Sequence, residues 1–87
     1  MACKKLKHKI HSLLKFGYFS DTKDFVDVSD GAGDFIHVVV VSRKFNGHTM
    51  GGRGDIIWDE LLKHLSDEEW EHVSLLIGST PEEVQFW

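Results

Sequence analysis

The sequence predicts an α+β domain: a three-stranded sheet with helices packed mainly on one face, in the order α-β-β-(turn)-α-β-α. Three observations predict it. Residues 25–42 read as a hairpin, with Val26 and Val28 alternating with Asp27 and Ser29, followed by the largely apolar run Ile36 to Val41. Ahead of it, Leu6, Ile10, Leu13 and Leu14 fall at i, i+4, i+7 and i+8, the stripe of an amphipathic helix. After it, an apolar run at Val73 to Ile77 is followed by Thr80-Pro81-Glu82-Glu83, the signature of a capped helix start. Three short strands cannot close a barrel, so an open sheet covered by helices is the economical solution.

Taken in order, the first helix carries its lysines opposite the apolar stripe, and Gly17 is a natural stop just beyond it. Residues 17–23 form a polar connector with Tyr18 and Phe19 set into it. Asp30-Gly31 and Gly33-Asp34 supply positive-φ positions for the hairpin turn. The second strand suits a central place in the sheet. Four glycines between Gly47 and Gly54 predict an irregular loop with room for one helical turn. Asp55 is then the expected cap of a helix running to about His64, with Trp58, Leu61, Leu62 and Leu65 at i, i+3, i+4 and i+7. Ser66-Asp67-Glu68-Glu69 has capping-box form and starts a further short turn. The register of the third strand is open, because Leu75, Leu76 and Ile77 are apolar on both faces. In the last helix Thr80 caps, Glu83 closes the box, and Val84, Phe86 and Trp87 are the side chains to bury.

A chain of 87 residues has room for one domain, residues 1–87, with one modest core. Its 41% hydrophobic and 28% charged content is that of a globular protein. No apolar run approaches the ~20 residues that cross a bilayer, so no membrane partner is expected. Cys3 is the only cysteine and no apolar leader opens the chain. Both features point to the cytoplasm and leave an organelle such as the mitochondrion open. The net charge of −4 opposes generic nucleic-acid binding. Charge is uneven, however: residues 1–16 hold five lysines and no acid, as expected of a basic helix face docked on an acidic domain. No Gly-x-Ser-x-Gly, Walker loop or carboxylate pair suggests an enzyme.

At this level of detail the chain resembles the BolA-like family. The segments that carry the resemblance are Val26-Asp27-Val28-Ser29-Asp30-Gly31, then Val38 to Val41 with Ser42-Arg43-Lys44-Phe45-Asn46-Gly47, then Thr80-Pro81-Glu82-Glu83. His72 lies nine residues before Pro81, where the family keeps a histidine at the start of its last strand. Arg53 lies eight residues after Phe45, where the family keeps the first arginine of a Gln-Arg-His-Arg motif. The resemblance implies a KH-like fold of type II topology and no enzymatic activity. It also implies partnership with a monothiol glutaredoxin around a shared [2Fe–2S] cluster, in iron regulation and iron–sulfur protein maturation. On its own the domain is expected to be a monomer. Two departures stand out. The hairpin loop Asp30 to Phe35 holds neither histidine nor cysteine, and Gly52-Arg53-Gly54-Asp55 replaces Gln-Arg-His-Arg.

His72 is accordingly the foremost metal-ligand candidate, since a neutral imidazole replaces thiolate at some iron–sulfur centres. His37 and His48 are the fallback second ligands. His8, His11 and His64 read as helix-surface residues. Gly51-Gly52-Arg53-Gly54 has the G-x-x-G form with which KH domains clamp a nucleic-acid backbone. A single-stranded nucleic-acid-binding or transcription-regulatory domain using that segment, with Arg53 on a phosphate, is therefore the alternative reading.

Overall fold

The computed structural model describes residues 4–84. Its elements are α1 (Lys4–Lys15), β1 (Phe25–Asp30), β2 (Ile36–Val41), a 3-10 turn (Arg43–Phe45), α2 (Met50–Leu62), α3 (Asp67–Trp70), β3 (Val73–Ser79) and α4 (Pro81–Val84). The sheet order is β1-β2-β3, with β1 antiparallel to β2 and β3 parallel to β2. The expected small α+β domain with a three-stranded sheet is thus present. None of the described helices is long and apolar enough to cross a membrane. Cys3, Phe86 and Trp87 lie outside the described residues.

Strand alternation decides which sheet face the helices cover. On β2, Ile36, Val38 and Val40 are buried, whereas His37, Val39 and Val41 are half-buried. Val26 pairs with Val40 and Val28 with Val38, so one face collects the valines of both strands. Onto that face α1 brings Leu6, Ile10 and Leu14, and α2 brings Ile57 and Leu61, in one continuous core. A bulge at Ile36/His37 settles the register of β3. It sets Leu76 opposite Val38 and Gly78 opposite Val40 on the core side, leaving Leu75 opposite His37. In the hairpin the positive φ falls on Gly33 (59°), and Gly31 closes the loop by donating to the Phe35 carbonyl at 2.8 Å.

Two expectations need correction. Residues 51–54 are not a loop: α2 begins at Met50, capped by Thr49, whose hydroxyl accepts the Gly52 N–H at 3.1 Å. Asp55 therefore sits inside the helix and caps nothing. The buried face consists of Arg53, Ile57 and Leu61, with Leu65 just beyond the helix. Trp58 is only half-buried, and Leu62, expected in the core stripe, is 42% exposed. A hydroxyl cap satisfies an orphan helix donor and so offsets the helix-weakening glycines.

Other local readings match the structure. Ser66 and Glu69 form a reciprocal capping box at α3. The Thr80 N–H donates to Glu83 Oε1 at 2.7 Å, and Glu83 N–H returns to the Thr80 hydroxyl at 3.3 Å. Trp70 meets Trp58 edge-to-face with centroids 5.2 Å apart, which pins α3 to α2. The basic helix docks on acidic groups, with Lys7 on Asp30 at 3.0 Å and Lys9 on Glu69 at 2.9 Å.

Candidate metal-ligand site at the mouth of the third strand

His72 stands between α3 and β3, and its backbone is fixed on both sides. Its N–H donates to the Glu69 carbonyl at 3.3 Å, and its carbonyl accepts the Ile36 N–H at 2.7 Å. The ring is half-buried. Its Nδ1 lies 3.1 Å from the carbonyl oxygen of Asp34 in the hairpin loop. A carbonyl only accepts, so Nδ1 carries the hydrogen and Nε2 of the neutral ring keeps its lone pair. Metal-bound histidines are held in this way, by donating the distal N–H to a carbonyl.

A shallow cleft of about 300 Å³ opens beside the ring, lined by Lys5, Leu6 and Lys9 of α1, Glu68 and Glu69 of α3, and His72. Glu69 is fully engaged there. The Ser66 N–H, aided by the Lys9 ammonium, holds its carboxyl below the usual carboxylate range.

The fallback ligands fall in different places. His37 is one residue from the strand pairing that holds His72, and its Nε2 faces the backbone of Gly31, where an added Cβ would come within 2.6 Å. Both rings therefore touch the same hairpin loop. His48 lies beyond the 3-10 turn that follows the far end of β2, exposed, with its carbonyl accepting from Arg53 Nε at 3.0 Å. No three His, Cys, Asp or Glu side chains gather into a metal-binding group among the described residues.

Arg53 is used internally. It is 8% exposed, and its guanidinium donates to Glu83 Oε1 at 2.5 Å, to the Gly78 carbonyl at 3.3 Å and, through Nε, to His48. Gly51, Gly52 and Gly54 belong to the first turns of α2. The segment is helical rather than a loop, and its arginine ties α2 to β3 and α4. Sequence reasoning missed that role because a buried arginine interrupts an apolar stripe and is read as surface.

With this geometry in hand, the chain was compared with protein-family models, curated proteins and solved structures. None of the three comparisons found a match.

Proposed function

We propose that this chain is a BolA-like adaptor, KH-like in type II topology, that partners a monothiol glutaredoxin in holding or passing on a [2Fe–2S] cluster. The observation that carries the reading is the His72 ring, oriented by the Asp34 carbonyl with Nε2 left as a donor beside a shallow cleft. The αββ–α–β order and the Thr80–Glu83 corner support the resemblance. A cluster of this kind takes four protein or thiol ligands, and His72 is the one this chain offers, with His37 next in line. The thiolates then belong to the partner. An imidazole in place of a thiolate makes the cluster less negative and raises its potential.

The work of the chain's own residues is positional. The Asp34 carbonyl fixes the tautomer of His72, and the bonds to Ile36 and Glu69 fix its depth. Mixing the protein with a cluster-loaded monothiol glutaredoxin tests the reading. A coloured mixed complex is expected to elute, and His72→Ala is expected to change its visible absorption and dichroism. An unchanged spectrum removes His72 from the ligand set, and the absence of any mixed complex removes the adaptor reading.

A further inference from the structure

The outer side of α2 and the short helix α3 carry an aromatic surface set among carboxylates. Ile57 and Leu61 turn α2 toward the core, so Trp58 and Leu62, one helical turn apart, share a side of the helix. Trp70 of α3 meets Trp58 edge-to-face at 5.2 Å and 78°. Its Nε1 donates to Asp67 Oδ1 at 3.2 Å. Both indoles are half-buried, and Leu62 is 42% exposed.

Residues 54–71 hold seven carboxylates and one lysine. The cations within reach are engaged. Lys63 bonds Glu60 at 3.0 Å, and Lys9 of α1 bonds Glu69 at 2.9 Å. Lys5 of α1 shares a cleft with Glu68, and the nearly buried Arg53 is paired with Glu83. β3, which packs against α2, has no charged residue, and α4 adds only Glu82 and Glu83. Asp55, Asp59, Asp67 and Glu71 are exposed, with no cation paired to them among the described residues. The excess here is negative after every neighbouring cation is counted. Asp55 and Asp59 also stand at i, i+4, where two like charges repel and weaken the helix that carries them.

We infer that this surface binds an arginine-bearing segment of a basic partner protein. An indole face attracts a guanidinium through its ring quadrupole, and tryptophan does so best. The apolar stem of the same side chain packs along Leu62. Asp55 or Asp59 then accepts two parallel N–H bonds from the planar fork. The aromatic and the acidic features thus call for one guest. A second copy of the chain supplies it poorly, because one of its two arginines, Arg53, is nearly buried. A polyanion is repelled by the same carboxylates. The Trp70 ring lies on α2, whereas the His72 ring turns to the hairpin loop. The surface therefore stands apart from the candidate ligand, and the inference is independent of the cluster reading.

The probe is a capped peptide of arginines alternating with glycines, titrated into the isotope-labelled whole protein and followed by NMR. The indole N–H signals, assigned with Trp58→Phe and Trp70→Phe, are expected to shift. Affinity is expected to fall as salt rises from about 50 to 200 mM. The matching lysine peptide is expected to bind about threefold more weakly, and the neutral citrulline peptide not at all. Asp55→Asn combined with Asp59→Asn is expected to lower affinity about fivefold while the melting temperature stays level or rises. A purely structural role for these carboxylates gives the opposite change in melting temperature. Leu62→Ala is expected to weaken binding, and His72→Ala to leave it unchanged. No shift of either indole signal, equal binding of the neutral peptide, or affinity unaffected by the paired asparagine variant overturns the inference. So does concentration-dependent movement of the same signals without peptide, which assigns the surface to a second copy.

Discussion

Arg53 Nη1 sits 2.5 Å from Glu83 Oε1, linking the first turns of α2 to α4 across the end of β3. The arginine is nearly buried and the glutamate is half-exposed, with side-chain exposures of 9% and 45%. Truncating the arginine strands the Gly78 carbonyl and opens a gap behind Phe45. Arg53→Ala is expected to cost about 2–3 kcal/mol, read as a lower urea midpoint with an unchanged slope. Arg53→Lys is expected to recover only part of this, because an ammonium cannot reach three acceptors in one plane.

Stability should fall in acid for two identifiable reasons. The Thr80 N–H, with help from the Arg53 guanidinium, holds the Glu83 carboxyl below its ordinary value of 4.5. The Ser66 N–H and Lys9 do the same for Glu69. A carboxyl depressed in the folded state binds its proton more readily when unfolded. Its contribution is therefore complete above pH 4.5 and is lost as pH falls through the folded-state value. Melting temperatures recorded from pH 7 down to about pH 3 are expected to drop on the acid side. Glu83→Gln and Glu69→Gln are each expected to flatten that drop while lowering the neutral-pH plateau.

Those two carboxylates were legible in the sequence, because a capping box is a spacing rule that operates within four residues. The hairpin and the α1 stripe were legible for the same reason, being local alternation and local helical period. The buried face of α2 was not. Three glycines among the five residues after Thr49 hid the cap behind a loop-like composition. The buried positions Arg53, Ile57, Leu61 and Leu65 recur every four residues, but the series opens on an arginine, which reads as surface. At the candidate site, the position of His72 could be read from its distance to Pro81. Its orientation could not, because the carbonyl that fixes the ring belongs to Asp34, 38 residues earlier.

Gly78 is required by packing rather than by backbone angle. A Cβ there would lie 2.8 Å from Arg53 Cβ and 3.0 Å from the Phe45 ring. Neither neighbour can retreat: Phe45 is fully buried against Phe19, and Arg53 is bonded at three points. Gly78→Ala is expected to destabilise by about 1–3 kcal/mol. Phe45→Leu shortens the obstructing side chain. In a double-mutant cycle its cost should therefore be smaller in the Gly78→Ala background than in the parent.

Gly51 is the opposite case. It lies in the first turn of α2, its φ is not positive, and an added Cβ would meet nothing within 4 Å. Alanine keeps the same backbone and removes conformational freedom from the unfolded chain. Gly51→Ala is expected to stabilise by about 0.5–1 kcal/mol. Gly52 differs in its surroundings: a Cβ there would approach the Thr49 hydroxyl to 3.2 Å and the His48 side chain to 4.0 Å. Because that hydroxyl is the cap, Gly52→Ala is expected to gain less than Gly51→Ala or to lose stability. Thermal melts of the two variants read the difference directly. Equal, negligible effects at both positions would mean that residues 51–54 are not held as helix in solution.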